Sequence, residues 1–484
     1  MSPRAGGWTS RPTSTQRRAR LALALAGLVL LVVVLVSALG GSTIPQPPPG
    51  RVARGASSRD PFGYVASRET DYVTRATAGE AHVLFTKSPG GALATAARVA
   101  TFRHEIDQVT AGTGIDPDLL EALVYVESAG RPDATAGSDL AGAAGLTQIL
   151  ASTGSSLLGM HIELARSRQL TQKIDAIESG ARTGKLAPLL LARERADTRF
   201  YPPKALAATV RYLLTAEHQF GRPDLALESY HMGIGNLHNI LGAYDGGRAV
   251  PYVQLYFDSA PDNHAEAYRL LAGLGDDSRL YYWRVLGAEQ IMHLYRTDRG
   301  ALERLASLQN ADGAGATVLH PPGRPPRYRD PAAVSAAYQH RQLVPLPSNA
   351  AALGLAYDPA MGTGASKVNA PRSLYRGLAP AALRLLIELA GRVRTLSGRR
   401  TPLTVQSTVM DAKYEASASV GDPIATTGYT FTIERRYSST AQAAAFQAML
   451  DRLQSLNLIA WLRYSSTIEV TVAADAATWA GVSR

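Results

Sequence analysis

Apolar residues follow three different rhythms along this chain. Residues 21–39 (LALALAGLVLLVVVLVSAL) form one uninterrupted apolar run with no charge and no polar face. At about 1.5 Å of rise per residue such a run nearly crosses a hydrocarbon layer of about 30 Å, which predicts a transmembrane helix. From about residue 93 to 305, apolar positions recur every three to four residues. That period predicts helices over 93–110, 117–130, 145–158, 162–180, 185–196, 203–219, 223–229, 234–241, 263–273 and 279–297. Near residue 381 the rhythm changes again. Helical stretches 381–396 and 441–456 are interleaved with "PLTVQSTV", "YTFTIE", "LIAWLRY" and "TIEVTV", which read as strands.

Two Pro- and Gly-rich stretches, "GGSTIPQPPPGRVARGASSRDP" and "HPPGRPPRYRDP", punctuate these regions. The expected organisation is a basic tail (1–20), a transmembrane anchor (21–39), a linker (40–70), a mainly helical domain with an N-terminal extension (71–319), a second linker (320–371) and a small α+β domain (372–484).

Charge gives the anchor a direction. Arg17, Arg18 and Arg20 precede the apolar run, and no Lys or Arg follows until Arg51. The positive-inside rule then leaves the N-terminus in the cytoplasm and the body of the protein outside, on a single-pass anchor in the cell membrane. A signal peptide cleaved after Val36–Ala38 is the competing reading, and the length of the run favours a retained helix. The formal net charge is +10, which suits an acidic partner such as nucleic acid, anionic lipid or an acidic wall polymer. There is no zinc-finger spacing and no basic helix with base-reading residues, so nucleic acid is not expected. The chain has no cysteine, which excludes disulfides, thiolate metal sites and cysteine nucleophiles.

One carboxylate stands out. In "PDLLEALVYVESAG", Leu120, Leu123, Val124 and Glu127 share one helix face at i, i+3, i+4, i+7 spacing. Asp116 can cap this helix, Pro117 suits its first turn, and Gly130 and Pro132 end it. Glu127 can be a satisfied core acid, an exposed helix-end acid, or a desolvated group that holds a proton near neutral pH. The helix alone leaves these open.

Three motifs bear on the choice: "GIDPDLLEALVYVESAGRPDA", "AGAAGLTQIL" and "ALESYHMGIGNL". In this order they resemble the soluble lytic transglycosylase family, goose-lysozyme-like enzymes of murein, over about residues 100–305. The resemblance implies a lysozyme-like fold and an enzyme that cleaves the MurNAc–GlcNAc bond of peptidoglycan glycan strands and leaves a 1,6-anhydromuramyl product, here expected on the membrane anchor at 21–39. Glu127 matches the catalytic acid/base. The substrate-binding positions it implies are Ser128, Gly145, Leu146, Gln148, Tyr230 and His231. Gln148 would hydrogen-bond the sugar, and the Tyr230 hydroxyl would position the carboxyl group. Thr147 stands where the family has methionine, and His231 where it has asparagine. A histidine there can still donate or accept, and adds pH dependence near its ordinary value of about 6.5. No cofactor and no metal is implied, and envelope proteins are expected partners. The stretch 153–202 exceeds a minimal domain of this type and reads as an inserted helical pair.

One carboxylate suffices if the substrate's N-acetyl group assists. Asp133, Asp139 and Glu163 are the nearest later acids, and one of them across the cleft would instead make a hydrolytic lysozyme. A wall-binding scaffold without catalysis is the alternative from another class. Residues of about 372–474 resemble, more weakly, a zinc D-Ala-D-Ala carboxypeptidase-like fold. Ala425 and Thr432 stand where that family has zinc ligands, and no histidine follows His340. The resemblance therefore implies an inactive relative without zinc. His231 and His238 have no third ligand nearby, and the aromatic run Tyr281–Tyr295 reads as core.

Overall fold

The computed structural model describes residues 60–275, 277–311, 313–319, 327–418 and 423–481. The expected anchor at 21–39, its basic flank and residues 40–59 of the first linker lie outside the described residues. Among those described, no helix is long and apolar enough to cross a membrane.

Helices dominate as far as residue 319. In chain order they are α1 (Glu69–Lys87), α2 (Ala92–Ala100), α3 (Arg103–Thr110) and α4 (Pro117–Ser128), followed by a short hairpin of β1 (Ala143–Ala144) and β2 (Ile149–Leu150). Then come α5 (Ala151–Ser156), α6 (Leu164–Glu178), α7 (Leu186–Ala196), α8 (Pro202–Phe220), α9 (Pro223–Met232) and α10 (Ile234–Asp245). The series ends with α11 (Tyr252–Asp258), α12 (Ala265–Ala272), α13 (Tyr281–Thr297), α14 (Arg299–Ala311) and α15 (Gly313–Leu319).

α13 packs across α4 and α1, and this trio forms the centre of the helical region. Trp283 on α13 is fully buried against the rings of Tyr252, Tyr256 and Phe257. Glu121, in the middle of α4, is also fully buried. It is gripped by Arg296 of α13 and by Arg103 of α3, the latter at 3.2 Å. Two cations around one buried acid compensate its lost hydration and tie three helices together.

Two helical expectations need correction. The stretch 93–110 is two helices, broken at Thr101–Phe102, where backbone bonds reach back only three residues. Residues 145–150 are not helical. Gly145 has φ +83° and Gln148 φ +50°, left-handed values that a continuing α-helix does not use. A side chain at Gly145 would also overlap the carbonyl oxygen of Arg199.

The C-terminal part begins earlier than expected. Residues 327–371, expected as linker, hold α16 (Pro331–Gln339), β3 (Val344–Pro345) and β4 (Leu355–Tyr357). These are followed by β5 (Gly377–Leu378), α17 (Pro380–Ser397), β6 (Leu403–Ser407), α18 (Ala412–Ala418), β7 (Thr430–Glu434), α19 (Thr440–Ser455), β8 (Ile459–Arg463), β9 (Thr467–Val472) and α20 (Ala476–Gly481). β4 is integral to the fold: the main sheet runs β4-β6-β7-β9-β8, with β4 parallel to β6 and the other pairs antiparallel. A three-residue strand carries too little alternation to show in the sequence. One face of the sheet, including Val405, Phe431, Ile433, Ile468 and Val470, is buried with the apolar residues of α17 and α19. On the central strands β7 and β9 the opposite positions, Thr430, Thr432, Glu434, Thr467, Glu469 and Thr471, are polar.

The end of the first linker also belongs to the core. Phe62 is fully buried. Arg452 of α19 donates to the carbonyl oxygens of Phe62 (3.1 Å), Phe257 (2.5 Å) and Ser259 (2.7 Å). Arg392 of α17 bridges Asp60 (3.0 Å) and Asp262 (3.1 Å). The Arg68 guanidinium lies 3.7 Å above the Trp479 ring. The helical region and the sheet region are thus joined by buried arginines on carbonyl and carboxylate oxygens.

Candidate active site

The Asp116 side chain accepts the Asp118 N–H at 2.8 Å, and Pro117 opens α4. The helix stops where Ala129 and Gly130 take left-handed conformations. Glu127 therefore sits in the last turn, at the rim of the bundle and half-buried. Its Oε1 accepts a hydrogen bond from the Tyr281 hydroxyl at 2.7 Å. Desolvation pushes the Glu127 carboxyl up from its ordinary value to about 7, against the opposing pull of the Tyr281 hydrogen bond. A group of this kind exchanges a proton readily at neutral pH.

Tyr281 begins α13 and is almost fully buried. Burial and the charge of Glu127 hold its phenol well above its ordinary pKa, so it stays a donor. Its ring stacks on His231 (5.1 Å between centroids) and, further off, on Tyr230 (6.4 Å). Glu228, fully buried on α9, accepts the backbone N–H of Tyr282 at 2.8 Å. This carboxylate caps the start of α13 and fixes the backbone that carries Tyr281. Neither Tyr281 nor Glu228 was expected as a site residue. Tyr281 shares the period of a core aromatic helix, and its contact with Glu127 spans 154 residues. Glu228 carries the same signal as Glu127, an acid in line with apolar helix positions.

The residues expected to bind substrate divide into two groups. Tyr230 lies beside Tyr281, but its hydroxyl does not reach Glu127. It donates to the carbonyl oxygen of Thr147 at 2.7 Å and lies 3.2 Å from the Thr209 hydroxyl. Tyr230 braces the loop, and the hydroxyl that reaches Glu127 is that of Tyr281. His231 is exposed, with Nδ1 2.7 Å from the Ser278 hydroxyl. Gln148 is half-buried and donates from Nε2 to Ala134 (3.0 Å) and Gly145 (2.8 Å) carbonyl oxygens. Both amide hydrogens serve the loop, so its capacity toward a ligand is that of an acceptor.

Ser128, Leu146 and Gly145 have no accessible surface to offer a substrate. Ser128 is 2% exposed and bonds within its own chain turn, to the Val124 carbonyl (3.4 Å) and the Arg131 N–H (3.3 Å). Leu146 is fully buried in the core. Gly145 gives the backbone its close approach to Arg199. These three residues shape the loop from behind.

The pair α6–α7, expected as an insertion, leads into that shaping. The chain leaving α7 carries Arg199, fully buried and paired with Asp197 at 2.7 Å. Arg199 donates to the carbonyl oxygens of Leu140 (2.8 Å), Gly142 (2.9 Å) and Ile149 (3.2 Å). One guanidinium thus clamps both sides of the β1–β2 hairpin that presents Gln148.

Among possible second carboxylates, Asp139 is held by Arg168 at 2.7 Å and Glu163 by His161 at 2.9 Å, all on the surface, and Asp133 is exposed. Among the described residues, no group of three His, Asp or Glu side chains is arranged to hold a metal ion. His238 packs on the Phe220 ring. A comparison with curated proteins found no match. The family comparison takes in Glu127, Gly145 and Gln148 and stops short of Tyr230, His231 and Tyr281. Residues 105–185 of this chain match the model of the Transglycosylase SLT domain family.

Proposed function

We propose that the protein is a peptidoglycan lytic transglycosylase in which Glu127 is the single catalytic acid and base. The observation that carries this reading is a half-buried carboxyl group raised to about 7 and held by Tyr281. In the protonated form, Glu127 gives its proton to the glycosidic oxygen as the bond to the anomeric carbon of MurNAc breaks. The sugar's own acetamido oxygen bonds to that carbon and takes up the developing charge. The carboxylate then removes the proton from the 6-hydroxyl of the same sugar, whose oxygen displaces the acetamido oxygen and closes the 1,6-anhydro ring. Glu127 ends protonated, and no water is consumed.

Tyr281 steadies the carboxylate between the two proton transfers. His231, beside it, and the acceptor of Gln148 are the groups we assign to the sugars. We further propose that the protein acts outside the cytoplasm on a single-pass anchor at residues 21–39. The basic charge suits an anionic wall.

The test is mass spectrometry of the sugars released from peptidoglycan by wild type and by Glu127→Gln. Anhydromuramyl ends from wild type alone are expected. Reducing ends would mean hydrolysis with a second carboxylate. Absence of products, with glycan bound by both proteins, would leave a scaffold.

A further inference from the structure

Arginines gather at one end of the C-terminal sheet. Arg399 and Arg400, both exposed, precede β6. Arg435 and Arg436 follow β7, and Arg463 ends β8. The strand register brings these segments together. β6 runs antiparallel to β7 with Val405 opposite Ile433, so the start of β6 meets the end of β7. Glu434 lies opposite Thr467 of β9, and Arg463 opposite Ile468. Hydrogen bonds tie the same end. Arg435 donates to the carbonyl oxygens of Tyr464 (2.5 Å) and Ser465 (3.1 Å), and Gln442 of α19 to those of Thr401 (2.9 Å) and Pro402 (3.2 Å).

The segments 399–402, 434–437 and 463–467 hold five arginines and a single acid, Glu434. That acid meets Arg436 at 3.5 Å, where the arginine side chain is 87% exposed. A pair so exposed does little to offset the positive charge.

Apolar side chains stand among these arginines. Leu462 is 56% exposed, more than any other exposed large apolar residue described, and Tyr464 is 47% exposed. The Arg463 guanidinium lies 5.6 Å from the centroid of the half-buried Trp461 ring. A phosphodiester polymer in solution would answer the charge and leave Leu462 and Tyr464 in water. A bilayer surface answers both, with phosphates for the guanidinium groups and a headgroup–acyl boundary for the leucine and the phenol.

The path of the chain agrees. Asp60, where the described residues begin, pairs with Arg392 at 3.0 Å. Arg392 lies about one and a half turns before the end of α17, which leads directly to Arg399. Residues 21–39 precede Asp60, so a tether from the proposed anchor enters the body at this end.

We infer that the arginine-rich end of the sheet docks on a membrane surface of anionic lipid, with the arginines on lipid phosphates and Leu462 and Tyr464 in the headgroup–acyl boundary. Only the direction of the tether rests on the proposed anchor, and the docking is independent of the chemistry at Glu127.

The chain has no cysteine, so Ser465→Cys, exposed in the turn after β8, takes one environment-sensitive fluorophore. The labelled full chain is reconstituted with vesicles of phosphatidylcholine, or of phosphatidylcholine mixed with phosphatidylglycerol. A blue shift and brighter emission are expected with the anionic vesicles alone. Arg399→Gln combined with Arg400→Gln should weaken docking about fivefold for each arginine removed. Leu462→Ser should weaken it about tenfold, and Glu127→Gln should dock as wild type does. The same label at Ser179→Cys, exposed at the end of α6, should respond to neither vesicle. Amide exchange over residues 461–467 of the unlabelled chain, slower on the anionic vesicles alone, is the check that needs no substitution. Equal emission and equal exchange in the two vesicles, an equal response at Ser179, or unchanged docking without the two arginines would each overturn the proposal. So would a response to soluble poly(glycerol phosphate) with none to vesicles, which would make this a polymer-binding surface. Loss of glycan cleavage with docking intact would count against the proposed enzyme and not against this surface.

Discussion

Replacing Glu127 with glutamine should stabilise the protein, and only at high pH. An ordinary glutamate titrates at 4.5, whereas Glu127 in the folded protein titrates at about 7. Below 4.5 the carboxyl group is protonated whether the chain is folded or not, and it contributes no pH dependence. Between these values the unfolded chain releases the proton while the folded protein keeps it. Stability therefore falls as pH rises through this window, and the loss is complete above about 7. At about 1.4 kcal/mol for each tenfold change in proton affinity, the ionised carboxylate costs the fold about 3 kcal/mol at pH 8. Glutamine is neutral throughout and can still accept from the Tyr281 hydroxyl. Urea unfolding of both proteins at several pH values measures the difference directly, from the midpoints at constant slope. The curves should coincide near pH 4.5 and separate by about 2–3 kcal/mol in favour of Glu127→Gln at pH 8. A gap that does not change with pH, or none at pH 8, would refute the claim that Glu127 is desolvated.

Other substitutions probe the supports of the site. Tyr281→Phe removes the hydrogen bond that favours the carboxylate, so the Glu127 pKa should rise further, by about one unit, with the upper limb of the pH–rate profile moving up with it. Wild-type activity should itself decline as pH rises past about 7, because the acid form is the one that begins the reaction. Gly145→Ala puts a Cβ into the Arg199 carbonyl oxygen at a left-handed backbone position. It should destabilise by about 2 kcal/mol or more in chemical denaturation and lower activity. Arg452→Ala leaves the carbonyl oxygens of Phe62, Phe257 and Ser259 without their donor, with an expected loss of about 3 kcal/mol by the same assay.

The parts of this architecture that were legible in the sequence are those written in local spacing. α4 announces itself by a cap, a proline and an apolar face, so Glu127 can be found without the fold. The two long C-terminal helices and the strands β6, β7, β8 and β9 follow from period alone. What local spacing cannot carry is a partner far away in the chain. Tyr281 looks like a neighbour of Trp283 in a core helix until α13 is laid across α4, and then its hydroxyl meets Glu127. Tyr230, its counterpart in the motif, is drawn to the Thr147 carbonyl instead. Backbone conformation is equally hidden. Residues 145–150 have an apolar spacing compatible with a helix, and only the positive φ at Gly145 and Gln148 turns them into a hairpin. Residues 327–371 read as linker because their alanines and prolines mask a three-residue strand, whose pairing with β6 has no local signature.

The arginine seam has a mechanical consequence. Asp60 and Phe62, the first described residues on the N-terminal side, are gripped by Arg392 and Arg452 from the C-terminal helices α17 and α19. Tension applied to the chain ahead of Asp60 is therefore delivered to the junction between the two regions, and is shared there by contacts from both. Glu127 and Tyr281 make none of the seam contacts themselves.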